Sequence, residues 1–139
     1  MFKTILCAID GSAATERQLL YVMHFGKTED AALHVVHAYL LPSHYCAQEG
    51  YETLIDEYQR VAHHVVEDAL LYLRDTGVDA RGEAIEGAPV DVILEEASRI
   101  NADLILIGSR NPTDISKTFL GSVSQQVLNA ARIPVLVIP

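Results

Sequence analysis

Residues 103–124 read Asp103-Leu104-Ile105-Leu106-Ile107-Gly108-Ser109-Arg110-Asn111-Pro112-Thr113-Asp114-Ile115-Ser116-Lys117-Thr118-Phe119-Leu120-Gly121-Ser122-Val123-Ser124. The opening Asp103 to Ile107 is nearly all apolar, as expected of a central parallel strand buried on both faces. A polar loop follows, and an amphipathic helical pattern marked by Val123, Val127 and Ala131 leaves it. The unit is therefore strand, loop, helix. The first N–H groups of a helix lack internal partners and together carry about half a positive charge, so this junction is suited to an anion. Gly121 permits close approach, Ser122 and Ser124 offer hydroxyl donors, and Arg110 and Lys117 are cations placed to neutralise a polyphosphate. The plainer alternative is an ordinary connection with a serine near a helix cap.

Working outward, the same alternation recurs along the chain. Lys3 to Ile9 reads as an apolar strand ending at Asp10-Gly11-Ser12, a turn in which Ser12 is placed to cap the next helix. Leu19, Leu20 and Met23 mark that helix's buried side, and Gly26 to Asp30 interrupts it. Ala31 to Tyr39 is a second strand, stopped by Pro42, and Leu40 to Gly50 is a long loop without periodicity. Tyr51, Leu54, Ile55, Tyr58, Val61, Ala62, Val65, Ala69, Tyr72 and Leu73 recur at helical steps and predict a long helix ending before Gly77. Val78 to Ile85 is a weaker, more polar strand of the kind found near an edge. Pro89 suits the first position of a third helix with Val90, Ile93, Leu94, Ala97 and Ile100 on its apolar face, and Asn101 suits a left-handed end. Ile133 to Ile138 is the last strand. Five strands alternating with four helices predict an α/β fold, an open, doubly wound, five-stranded parallel sheet with right-handed crossovers. Ligands of such sheets bind at the carboxyl ends of the strands where the order reverses, which Asp10 and Gly108 both reach if their strands are neighbours.

Composition restricts the function classes. The 139 residues suit one domain, residues 1–139, and no apolar run is long enough for a bilayer span. With no basic leader, a cytoplasmic protein is expected. Nineteen acidic side chains against ten Lys and Arg give a formal charge of -9, which disfavours nucleic acid and anionic membrane as partners. An anion site in such a chain must depend on local backbone dipoles rather than on the overall field.

Two cysteines, Cys7 in a strand pattern and Cys46 in a polar loop, provide no disulfide framework. Cys7 reads as a small core residue. His34, His37, His44 and Cys46 match no zinc spacing, and His63 with His64 reads as a solvated helical face, so no metal site is expected. Gly82 and Gly87 imitate a P-loop spacing, but Ala88-Pro89 stands where Lys and Ser or Thr would be required.

The chain as a whole resembles the universal stress proteins. The resemblance is carried by Lys3-Thr4-Ile5-Leu6 leading to Asp10-Gly11-Ser12, by Gly87-Ala88-Pro89, by Ala102 to Arg110, by Gly121-Ser122-Val123-Ser124 and by Ile133-Pro134-Val135-Leu136-Val137. It implies a flavodoxin-like or Rossmann-like domain with strand order 3-2-1-4-5. In the nucleotide-binding branch a Gly, two residues, a Gly, nine residues and then Gly with Ser or Thr form the loop. Gly108 and Gly121-Ser122 match the ends of that pattern, and Asn111 stands in place of the middle Gly. Gly-Ser-Arg-Asn-Pro looks like a variant of the family that retains ATP binding.

The resemblance implies a nucleotide site. Asp10 would lie on the ribose or adenine side and Ala38 against the base, with Gly108 and Arg110 around ribose and phosphates. Gly121, Ser122, Val123 and Ser124 would hold the polyphosphate, and Ala8, Ile9, Ile107 and Asn111 complete the set. The expected ligand is ATP, with or without Mg, and the expected assembly is a homodimer through the last strand, whose apolar edge is otherwise exposed. The function implied is a stress-response module that ATP biases toward one dimer or partner surface, catalysing at most slow hydrolysis. The alternative is a family member that binds no nucleotide and acts through an unidentified protein partner, which Asn111 favours.

Overall fold

The structure, a computed structural model, describes residues 1–43, 46–109 and 120–139. Nine elements alternate: β1 (Thr4–Ala8), α1 (Ala14–Thr28), β2 (Ala32–Tyr39), α2 (Tyr51–Asp75), β3 (Arg81–Glu86), α3 (Pro89–Arg99), β4 (Leu104–Gly108), α4 (Ser122–Ala130) and β5 (Val135–Ile138). The strands form one sheet in the order β3-β2-β1-β4-β5, and every neighbouring pair is parallel. The order reverses at β1, which lies between β2 and β4 as the sequence pattern requires for a ligand crevice.

Alternation along the strands builds two cores. Ile5, Cys7, Leu33, Val35, Leu104 and Leu106 face α1 and α2, meeting Leu19, Val22, Ala69 and Leu73. Leu6, Ala8, Val36, Ile105 and Ile107 face α3 and α4, meeting Val92, Ile93, Ala97 and Val127. The central strands β1 and β4 are buried on both sides, which is why they read as continuous apolar runs. Cys7 lies wholly inside, and burial pushes its thiol up to about 12. Pro89 opens α3, and Asn101 is left-handed with φ 55°, both as expected from their chemistry.

Three local expectations are corrected. Leu20 points to solvent, and Thr15 and Gln18 join Leu19 and Val22 on the buried side of α1. Tyr58 and Val61 are exposed although they continue the apolar stripe of α2, whose fully buried positions are Ala62, Val66, Ala69 and Leu73. The cause is length: α2 has 25 residues, about 37 Å of helix. Val65 packs against Gly11, three residues beyond β1, so the turns before it overhang the strand ends. Ser12 does not cap α1: the helix begins at Ala14 after Ala13, without a side-chain cap bond. Asp10 makes the turn instead, its Oδ1 accepting the Ser12 N–H at 2.9 Å and the Thr15 hydroxyl at 3.4 Å.

Candidate functional site

At the carboxyl end of the sheet, β1 and β4 finish side by side, their last pair being Ala8 with Ile107. On one flank the Ile9 N–H continues to the Val36 carbonyl at 2.9 Å. On the other, Gly108 still pairs with Ile138, and the Ser109 N–H reaches the Ile138 carbonyl at 2.8 Å. The chain leaves β1 into α1 on one face of the sheet, while α4, which follows β4, packs on the other. This divergence opens the crevice between the two strand ends.

Helix α4 delivers its N-terminus there. Gly121 is its N-cap in an extended conformation and has no side-chain cap bond. The Gly121 N–H is engaged by the Ser109 carbonyl at 2.6 Å, and the first helical bond runs from Gln125 N–H to Gly121 O at 3.0 Å. The amides of Ser122, Val123 and Ser124 therefore precede any helical acceptor and form the donor set expected of an anion site. The first turn of α4 contains no acidic side chain to compete with a ligand.

The two serines differ in role. Ser122 is exposed, and its oxygen accepts from Gln126 Nε2 at 2.9 Å, which leaves its hydroxyl proton for another acceptor. Ser124 is buried, and its hydroxyl donates to the Gly108 carbonyl. The expectation that both hydroxyls serve a phosphate is corrected for Ser124: its side chain ties the first turn of α4 to the end of β4, and only its amide remains.

The other expected site residues separate by face. Asp10 is exposed at the crevice mouth. Ala8 and Ile107 are buried in the core beneath α3 and α4. Ala38, half-buried beside Ile85, lies on the same face at the end of β2. The Ile9 side chain faces the opposite way, into the core beneath α1 and α2, so Ile9 contributes backbone alone. Its carbonyl lies 3.0 Å from His37 Nδ1. Arg110, Asn111 and Lys117 lie outside the described residues, and so does His44.

One residue escaped the sequence pattern. Gln18 of α1 is buried beneath the crevice and donates from Nε2 to the Ala8 carbonyl at 2.8 Å. A polar residue aligned with Thr15, Leu19 and Val22 on the stripe of α1 was the available signal.

A second polar group lies at the opposite end of the sheet, where β2 and β3 begin. His34, Arg81, Glu83, Glu96 and Arg99 line a cavity of about 140 Å³ there. Arg99 forks onto the buried Glu96 carboxylate. Burial, reinforced by the charges of Arg81 and Arg99, holds the His34 imidazole below its ordinary range. Among the described residues no group of three or more His, Cys, Asp or Glu is arranged for a metal ion. No helix among them is long and apolar enough to cross a membrane.

The model of the universal stress protein family matches residues 1–139. The chain belongs to that family. A universal stress protein of Thermus aquaticus, from the 3' region of a QAH/OAS sulfhydrylase gene, is 34% identical over 139 residues and covers 99% of both chains. The stress response protein NhaX of Bacillus subtilis is 29% identical, covering 96% of each. Among solved structures, the hypothetical protein MJ0577 superimposes with a TM-score of 0.86 at 26% identity, over 99% of this chain and 96% of that one. A universal stress protein in complex with cAMP gives a TM-score of 0.73 at 23% identity, over 99% of this chain and 96% of that one. One from Archaeoglobus fulgidus in complex with dAMP gives 0.66 at 20%, over 100% and 98%. The family thus accounts for the whole length of the fold described above, and two of its structural relatives hold adenine nucleotides.

Proposed function

We propose that this universal stress protein binds ATP, with or without Mg, in the crevice between β1 and β4, and that occupancy biases a homodimer toward one signalling or protective surface. The observation that carries the reading is the N-terminus of α4. Its Ser122, Val123 and Ser124 amides precede the first helical acceptor and lie where the strand order reverses. An anion there is favoured by first-turn amides that have no partner among the described residues and by the helix dipole, in a chain whose formal charge of -9 otherwise repels it. The relatives solved with cAMP and dAMP support an adenine nucleotide as the ligand class.

In this reading the polyphosphate sits on the first turn of α4 beside the Ser122 hydroxyl. Asp10 uses Oδ1 to hold its own turn, which leaves Oδ2 for a ribose hydroxyl or a hydrated magnesium ion. Ala38 and the end of β2 offer a small apolar surface for the base. Magnesium, when bound with ATP, would offset phosphate charge in an acidic protein. The chain's own contribution is to orient and bind, since the described crevice residues include no obvious general base beside the loop.

Calorimetric titration of nucleotide-free protein tests this directly, with ATP in the presence and absence of magnesium and AMP as the comparison. Micromolar ATP binding that weakens sharply for AMP is expected. No heat and no thermal shift at millimolar ATP would replace the reading with a module that acts through protein contacts alone.

A further inference from the structure

Gln18 is 2% exposed, and it lies beside the apolar Leu19 and Val22 on the face of α1 that packs against the sheet. A carboxamide so placed is costly unless hydrogen-bonded, and its position shows where the bond is made. Nε2 donates to the carbonyl of Ala8, the last residue of β1. The rest of the amide lies against Gly108: a Cβ on that glycine would be 3.6 Å from Oε1 and 3.7 Å from Cδ of Gln18. The amide thus spans the ends of both strands that bound the crevice.

Ser124 does the corresponding work from the other face, its hydroxyl donating to the Gly108 carbonyl. The two strand ends are therefore gripped from both sides of the sheet at and just beyond their final rung, Ala8 with Ile107, by a side chain of α1 on Ala8 and a side chain of α4 on Gly108. Strand ends at a reversal point diverge into helices on opposite faces, and no later rung between β1 and β4 holds them together. Two buried polar side chains sit on those ends instead: Gln18 bonds to Ala8 and lies against Gly108, and Ser124 joins Gly108 to α4.

We infer that Gln18 is a positioning residue. It sets the end of β1 relative to Gly108 and, through the Ser124 bond, the distance between β1 and the first-turn amides of α4. It touches no ligand. Its consequence for binding rests on the nucleotide reading above; its consequence for the position of α4 does not. A ligand bridging β1 and α4 needs that spacing, whereas one held on the β1 side alone does not. Loss of Gln18 should weaken ATP and leave adenosine unaffected.

The test compares the wild-type chain with Gln18→Leu and Gln18→Glu at a temperature where each is fully folded. Gln18→Leu is expected to lower ATP affinity about tenfold, the scale of a lost buried hydrogen bond and its displaced neighbours, with adenosine affinity within about twofold of wild type. Gln18→Glu supplies a readout that a packing role would not move. A protonated carboxyl can donate to the Ala8 carbonyl and an ionised one cannot, so the ATP affinity of this variant, relative to wild type at the same pH, should recover as pH falls from about 8 to about 5.

Amide hydrogen exchange at Gly121, whose N–H is held by the Ser109 carbonyl, provides the measurement without nucleotide. Faster exchange there in Gln18→Leu supports the positioning role even if wild-type protein binds no ATP, an outcome that would defeat the nucleotide reading alone. Unchanged exchange at Gly121 together with unchanged ATP affinity would overturn the inference. If Gln18→Leu fails to fold, the pH series of Gln18→Glu decides it: a relative affinity flat across pH overturns the role, and recovery at acid pH supports it.

Discussion

The Ser124 hydroxyl donates to the Gly108 carbonyl, joining the first turn of α4 to the end of β4 across the segment between them. The bond is partly buried and places a helix N-terminus beside a strand end. Ser124→Ala removes it and leaves the carbonyl without this donor. The expected cost is about 1 kcal/mol, or roughly 4 °C in melting temperature for a domain of this size. A thermal melt unchanged within error would show that Gly108 and α4 are held by other contacts.

Ser122 predicts the opposite pattern. It is exposed, and its side chain takes part in a surface hydrogen bond with Gln126, the only one it makes among the described residues. Ser122→Ala should leave stability within about 0.5 kcal/mol of wild type. On the nucleotide reading it should weaken ATP about fivefold, the equivalent of one ordinary hydrogen bond of about 1 kcal/mol. Calorimetry on the two serine variants separates a residue that meets ligand from one that builds the site.

The fold was legible where one physical demand dominated. Leu104 to Ile107 is apolar on both faces because helices cover both faces, and Pro89 and Asn101 mark helix ends for local backbone reasons. Reading failed where the same residue type serves two ends. Tyr58 and Val61 continue a helical stripe but overhang the sheet, and periodicity does not reveal where a sheet stops. A serine near a helix start reads as a cap or a ligand donor, yet Ser12 does not cap α1 and Ser124 bonds to a strand carbonyl. Gln18 resembles an exposed helical glutamine until β4 is placed beside β1. The crevice itself was legible as Asp10, Gly108 and Gly121. Its internal bracing was not, because bracing depends on contacts between residues distant in sequence.

The two cysteines should differ sharply in reactivity. Cys7 is buried with its thiol pushed up to about 12, whereas Cys46 is exposed. The thiolate is the nucleophile, so at about pH 8 a disulfide reagent should label one thiol in the native protein and two after denaturation. Rapid labelling of both in native protein would mean that the sheet centre opens far more readily than its packing implies.

His34 predicts a specific acid limb in stability. Its folded pKa is lowered, first by burial and then by Arg81 and Arg99, with Glu96 and Glu83 opposing. The unfolded imidazole therefore takes up a proton before the folded one does. Stability from this residue is intact above its ordinary value of 6.5 and declines as pH falls from there through the lowered folded value. His34→Gln should flatten that part of the urea-midpoint profile, after the carboxylate limb common to both proteins is subtracted. A profile that keeps the same slope in the variant would assign the proton uptake elsewhere.

The outer edge of β5, unpaired among the described residues, gives the sharpest test of dimerisation. Pro134 and Ile138 direct their carbonyls to β4, accepting from Ile105 at 3.0 Å and from Ser109 at 2.8 Å. By strand alternation Leu136 faces β4 as well, so the backbone N–H groups of Val135 and Val137 point outward. The other edge strand, β3, carries Arg81, Glu83 and Glu86 and is blunted by charge, whereas Val135 to Ile138 carries none. A second copy pairing along β5 would take up the outward groups and should sediment at twice the 15.3 kDa chain mass. Val137→Pro removes one outward donor without touching the β4–β5 ladder, since proline is tolerated on an edge strand whose N–H faces solvent. The variant should sediment as a monomer with its circular dichroism unchanged. A wild-type chain that is monomeric at micromolar concentration would exclude the dimer. A variant that stays dimeric would move the interface away from this edge.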